Sequence, residues 1–226
     1  MRDGDIRPVL LDRLRILYGA DPTTIIVEEL GLHCGTVRAD VAVINGCLKG
    51  YEIKSAKDTL ERLNRQSDGY GKVFDTVTLV LGESHLEQAQ QVVPNWWGIE
   101  VAHATGPSAG VFLTSFRTES ANPGIDPLAV AQLLWREEVL AILSAGSPSG
   151  ILSKKPRSYL WQALIDFLPL EQLKHVVRDA LKSRTRWRVG GKQTLGDGTY
   201  QPSAMSSDCQ FRPSRSRNRR YIHRPS

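Results

Sequence analysis

Along the first hundred residues the spacing of apolar positions changes several times, and each change predicts an element. Val9, Leu10, Leu14 and Leu17 recur at helical spacing within Asp5–Tyr18 and stop at Gly19, which predicts a first helix. Pro8 is expected in its first turn, where a missing N–H costs nothing. Thr24–Leu30, Thr36–Ile44 and Leu48–Ser55 are short and rich in β-branched residues, and Asn45-Gly46 between the last two signals a hairpin. Asp58-Thr59-Leu60-Glu61 has the form of a capping box opening a helix whose apolar face runs through Leu63, Tyr70 and Val73. Thr76–Leu81 reads as a buried strand, His85–Val93 as a short helix and Trp97–Ala102 as a strand. This order predicts a mixed α/β sheet in which a hairpin precedes a crossover helix.

After Gly106 the pattern changes. Val111–Phe116 reads as an edge strand and Ser120–Pro127 as turn-rich, followed by amphipathic helices over Leu128–Leu143, Tyr159–Leu168 and Leu170–Leu181. The expected organisation is a core over residues 1–105, an edge strand and helical subdomain over 106–182, and a tail over 183–226.

Charge separates that tail from the rest. Lys182–Ser226 holds eleven Lys/Arg and two acids, net +9, whereas the preceding residues hold 18 bases and 22 acids, net −4. A basic, Ser/Pro/Gly-rich segment with few aliphatic residues is expected to be disordered, and its arginines suit a phosphate backbone. No apolar run approaches the ~20 residues that cross a bilayer, and the charged N-terminus lacks a signal segment, so a cytoplasmic protein is expected. Cys34, Cys47 and Cys209 form neither a disulfide framework nor a zinc spacing.

Chemistry concentrates between Val37 and Tyr70. Asp40 lies in one predicted strand of the hairpin and Glu52-Ile53-Lys54 in the other. A two-residue turn would send the two acids to opposite faces. A three-residue turn, Asn45-Gly46-Cys47, sets Asp40 opposite Glu52, Ala42 opposite Gly50 and Arg38 opposite Lys54. The other face then collects Val37, Ala39, Val41, Val43, Tyr51 and Ile53 as core. Like charges directly across a strand pair are destabilising, so the three-residue register implies a bound cation.

A hard divalent cation, Mg²⁺ or Mn²⁺, suits one or two carboxylates. Asp40, Glu52 and the Ile53 carbonyl are its expected ligands, with Glu29 as a candidate addition and Glu28 as the competitor for that place. Lys54 shares a face with Glu52 and can position the attacking water and stabilise charge on phosphorus. Asp58, Arg62, Gln66 and Tyr70 are spaced by four on the predicted helix; Gln66 and Tyr70 would hold water or phosphate, and Arg62 a neighbouring phosphate. Arg38, Lys57, Arg184, Arg186 and Arg188 complete the expected nucleic-acid contacts.

The ordered set Asp40, Glu52-x-Lys54 and Gln66-x-x-x-Tyr70 resembles the PD-(D/E)XK nuclease superfamily, and its last motif the RecB-like branch. The text GTVRADVAVING, GYEIKSAKDTLERL, VFDTVTLVLG and VPNWWGI is similar to an uncharacterised bacterial family related to MmcB-type DNA-repair proteins. The likeness covers Pro22 to Val101 and continues more loosely to Trp187. It implies a restriction-endonuclease-like core and magnesium-dependent DNA cleavage, and the expected protein is an endonuclease of DNA repair, restriction or mobile-element and phage biology. The chain departs from the superfamily in two places: the first helix lacks a glutamate from Val9 to Tyr18, and Ala39 stands where a proline usually precedes the first acid. The motif chemistry serves RNA as well as DNA, and the acidic body suggests a partner protein that delivers the substrate. The alternative is a catalytically silent nucleic-acid-binding or adaptor protein on the same fold.

Overall fold

The computed structural model describes residues 1–106, 110–144 and 152–184. The elements are α1 (Asp3–Tyr18), β1 (Ile25–Leu32), β2 (Val37–Ile44), β3 (Leu48–Lys54), α2 (Leu63–Gly71), β4 (Thr76–Gly82), α3 (Leu86–Val92), β5 (Gly98–Ala104), β6 (Val111–Arg117), α4 (Pro127–Ala131), α5 (Arg136–Ser144), α6 (Arg157–Phe167) and α7 (Leu170–Ser183). The strands form one six-stranded sheet in chain order, β1 to β6. Neighbours are antiparallel except β3–β4 and β4–β5, which α2 and α3 connect as parallel pairs. The protein is therefore α/β, with a mixed sheet flanked by helices. Among the described residues no helix is long and apolar enough to cross a membrane.

The two faces of the sheet carry different loads. One is covered by α1, whose Ile6, Leu10, Leu11 and Leu14 meet Val41, Val43, Tyr51, Ile53, Val80 and Ala102. The buried stripe is thus shifted from the predicted one, and Leu17 faces solvent. Pro8 also lies a turn deeper than expected, because the helix already starts at Asp3. The opposite face packs against α2 and α3 and, in the same continuous cluster, against residues of α4 to α7 such as Val130, Ile142, Leu164 and Val177. The segment after α2 packs closely on the sheet there: a Cβ on Gly50 would lie 2.7 Å from the Phe74 ring.

The hairpin adopts the three-residue register. Val41 pairs with Tyr51, Ala42 with Gly50, Val43 with Lys49 and Ile44 with Leu48. Asn45 Oδ1 accepts the Cys47 N–H at 2.9 Å and closes the turn. The expected single core face does not form. Val41, Val43, Tyr51 and Ile53 face α1, whereas Val37 and Ala39 join Ala42 and Ile44 on the other side. The side switch falls at Asp40. On β1 it falls between Val27 and Leu30, where Glu29 takes a left-handed φ of 60°. Between the Glu28–Val41 and Leu30–Ala39 pairs the ladder skips Glu29 and Asp40. Both strands turn over together, so their register survives while their facing inverts.

Two predicted helices differ from those observed. Asp58 does not cap α2; its carboxylate turns back to accept Ser55 N–H at 2.7 Å and Ser55 Oγ at 2.6 Å, and α2 begins only at Leu63. The helix expected over Leu128–Leu143 breaks after Ala131. Arg184, at the far end of α7, donates to the Leu133 carbonyl at 2.8 Å and lies 4.1 Å from the Trp135 ring. Glu138 accepts the Trp135 N–H at 2.7 Å, starting α5 afresh. The same Glu138 binds Arg184 through both oxygens, at 2.7 and 2.6 Å, with both side chains buried. Replacing Arg184 by alanine leaves an uncompensated buried carboxylate, and urea denaturation should show a loss of about 3–5 kcal/mol. Replacing Glu138 and Arg184 together by methionine should recover most of that loss.

Candidate active site

Glu52 and Lys54 close β3, at the carboxyl end of a parallel strand beside the crossover to α2. That is where open α/β sheets place ligands. Glu52 is only 1% exposed. Its Oε1 receives Lys54 Nζ at 2.7 Å and Gln66 Nε2 at 2.5 Å, and its Oε2 receives the Tyr70 hydroxyl. Gln66 and Tyr70 lie one turn apart on α2, so a single helix face supplies two of the donors. Tyr70 is fixed between Phe74 and Trp97, at ring distances of 5.3 and 5.6 Å. Trp97 is fully buried and serves this packing. Below Lys54, His85 Nε2 bonds the Ser55 carbonyl at 3.1 Å and ties the strand end to the start of α3.

Asp40 occupies the point where the β2–β3 ladder stops. Its Oδ2 accepts the Ile53 N–H at 2.8 Å, standing in for the next backbone rung. The expectation that Asp40 stands beside Glu52 on the α2 face therefore needs correction. Its carboxylate is directed along the sheet at β3, and its other oxygen faces Arg7 of α1 at 3.3 Å. The two acids nevertheless feel each other. Burial, and after it the Asp40 charge, raises the Glu52 pKa to about 7 against the opposing pull of Lys54. Burial and the Glu52 charge likewise raise Tyr70 well above the usual phenol range.

Sequence reasoning missed Arg7. Its spacing with Leu11 and Leu14 puts a cation on the sheet-facing side of α1, the one signal that marks it. Arg7 bridges Asp3 at 2.8 and 3.0 Å, the Asp40 carbonyl at 3.1 Å, Glu29 at 3.3 Å and Glu28 at 3.8 Å. Glu29 also pairs with Arg38, so Glu29 and its competitor Glu28 are both drawn into ion pairs. Burial works against the guanidinium's charge, but the hydrogen bonds and charges of Asp3, Asp40 and Glu29 outweigh it and raise its pKa.

Among the described residues no group of three or more His, Cys, Asp and Glu is arranged to hold a metal ion. Mg²⁺ does not need one, because it keeps waters and uses one or two carboxylates with substrate oxygens. The donor set here fits that demand. Asp40 and Glu52 are hard oxygen ligands, their mutual repulsion favours a cation, and Gln66 Oε1 is buried without a partner. The Ile53 backbone is engaged through its N–H by Asp40. Arg38, Lys57 and Arg62 are exposed, as a phosphate contact requires. Arg184 is not: its burial against Glu138 removes it from the expected nucleic-acid contacts. Arg186 and Arg188 lie outside the described residues, as does the tail from residue 185.

The family model for bacteriophage P4 protein cII matches residues 2–189. The chain belongs to the bacteriophage P4 protein cII family. One relative, protein cII of Enterobacteria phage P4, is 28% identical over 99 residues, which cover 44% of this chain and 37% of that protein. The match thus spans little more than a third of the relative's length. No solved structure matches the chain. The family match takes in Arg7, Asp40, Glu52, Lys54, Gln66 and Tyr70 together and stops near the start of the tail.

The raised Glu52 pKa has a stability consequence. Between its ordinary value of 4.5 and about 7 the folded protein holds a proton that the unfolded chain has released. Protons bound to the native state make stability fall as pH rises across that window, by about 3 kcal/mol in all for this group. Below the window the contribution is fully present. Urea denaturation across pH 4.5–7 should show this decline in the difference between wild type and Glu52→Gln, measured without divalent ions. A flat difference would mean that Glu52 ionises normally.

Proposed function

We propose that the protein is a metal-dependent nuclease with a PD-(D/E)XK-like site, cleaving phosphodiester bonds of DNA. The observation that supports this reading best is the convergence on Glu52: Lys54 from its own strand and Gln66 and Tyr70 from α2, all within hydrogen-bonding reach of one buried carboxylate. A structural role alone does not call for an anion with three donors at the end of a parallel strand, beside a second acid and a broken ladder.

On this reading Asp40, Glu52 and the Ile53 carbonyl would hold Mg²⁺ or Mn²⁺. When bound, the ion supplies Lewis acidity at the phosphate and lowers the pKa of water. Lys54 places its ammonium next to Glu52, where it orients the attacking water and offsets negative charge growing on phosphorus. Tyr70 and Gln66 hold the Glu52 carboxylate in one pose, so that charge is preorganised before substrate arrives. Arg38, Lys57 and Arg62 stand exposed and would meet the flanking phosphates.

One observation favours a second reading, a catalytically silent nucleic-acid-binding or adaptor protein. Arg7 already brings a positive charge to the acids that the cation would use. A single assay separates the two. Plasmid and single-stranded DNA and RNA are incubated with Mg²⁺ or Mn²⁺ and the full chain. The nuclease reading expects cleavage that falls about 10²–10⁴-fold in Lys54→Ala and disappears in Asp40→Ala, with circular dichroism unchanged. Salt-sensitive binding that survives Asp40→Ala, without cleavage on any substrate, would establish the silent reading instead.

A further inference from the structure

The guanidinium of Arg7 lies among four carboxylates, and its attachments are unequal. It binds Asp3 through two close contacts, Nε at 2.8 Å and Nη2 at 3.0 Å. Its approaches to the other three are long: Asp40 Oδ1 at 3.3 Å, Glu29 at 3.3 Å and Glu28 at 3.8 Å. Asp3 and Arg7 are one helical turn apart, so α1 itself fixes this pair. The arginine is thus tethered from its own helix and lent to the sheet. Asp40 has an independent support, because the Ile53 N–H holds its Oδ2. The Asp40 carboxylate thus has a support besides Arg7, and Arg7 has Asp3 and, at 3.1 Å, the Asp40 main-chain carbonyl besides that carboxylate.

We propose that Arg7 is a charge gate on the candidate cation site, lowering the affinity of Asp40 and Glu52 for a divalent ion by offsetting their charge from the α1 side. This inference rests on the nuclease reading of that site and adds its regulation. Each carboxylate oxygen has room for more than one partner, so Arg7 does not physically block Asp40. Its effect is electrostatic. A fixed positive charge this near a site of two acids opposes any further cation, and partial burial keeps solvent from screening it. A polyanionic substrate reverses the balance, since a phosphate drawn to Arg7 removes its hold on the acids and adds ligand oxygens of its own. The free protein would therefore take up metal weakly and the substrate complex strongly, which couples cation capture to substrate arrival.

The test is Mn²⁺ binding to the full chain without nucleic acid, followed by electron paramagnetic resonance. It compares wild type, Arg7→Gln and Arg7→Lys, with thermal unfolding to confirm the fold of each. Arg7→Gln is expected to bind Mn²⁺ at least ten-fold more tightly than wild type. Arg7→Lys keeps the charge and is expected to stay within about three-fold of wild type. Saturable binding that is unchanged or weaker in Arg7→Gln overturns the gate and leaves the nuclease reading standing. Ten-fold tightening in Arg7→Lys also overturns the gate, because charge would then not be the cause. No saturable binding in any of the three proteins, with Asp40→Asn as the reference for non-specific uptake, overturns the cation site and the gate with it.

Discussion

Holding a carboxylate out of water at Glu52 is the constraint around which the rest of this structure is arranged. An ionised acid at 1% exposure is costly unless its oxygens are met by donors. The three donors come from two elements, so β3 and α2 must keep a fixed distance and rotation. That relation is set deeper in the same cluster. Gly50 lets Phe74 settle on the strand, and Tyr70 is clamped between Phe74 and Trp97. Even so, Lys54, Gln66 and Tyr70 do not bring Glu52 back to an ordinary acidity, because burial and Asp40 together outweigh them. Burial with three donors does not alone mark a functional site, since Glu138 has both; Glu52 differs in standing beside a second acid at a broken ladder, and this is the physical case for a functional site.

The second constraint is the interruption at Asp40. A regular β2 would continue its ladder with β3, and the Ile53 N–H would meet a backbone carbonyl. Instead the strand turns over and a side-chain carboxylate takes the rung. The left-handed Glu29 on the neighbouring strand turns over at the same level, at a backbone cost of about 1–3 kcal/mol. The distortion opens the sheet where the two acids come near each other and where Arg7 reaches in from α1. Strain, broken pairing and clustered charge therefore coincide at one place, and no other part of the described sheet combines them.

How much of this was legible depends on the range over which each feature is decided. The hairpin register was readable because Asn45-Gly46-Cys47 and the period of two are local, and only one turn length brought Asp40 level with Glu52. The donors Gln66 and Tyr70 were readable because helical spacing puts them on one face. The side switch at Asp40 was not, since neither it nor the left-handed φ of Glu29 at the same level is announced by an ordinary β-strand sequence. Asp58 misled for a different reason. An Asp that turns back on Ser55 and an Asp that caps a helix share the same short pattern, and only the later start at Leu63 separates them. The break after Ala131 was hidden by distance, because Arg184, which takes the Leu133 carbonyl, lies 51 residues further on.

Arg7 and Arg184 show why charge counted along a sequence is a weak guide to charge at a surface. Both are arginines in an α-helical context, and both spend their charge on internal acids. Both enter the formal charge, Arg7 in the −4 of residues 1–181 and Arg184 in the +9 that follows, yet each is already paired with acids of the fold. On the proposed reading, substrate affinity then rests on Arg38, Lys57 and Arg62 near the site, and on cations supplied from elsewhere. Arg38 is itself paired with Glu29, so drawing it to a phosphate would free an acid beside Arg7. On that reading substrate contact and the charge state of the site would be joined through Glu29, the residue whose left-handed backbone already marks the break in the sheet.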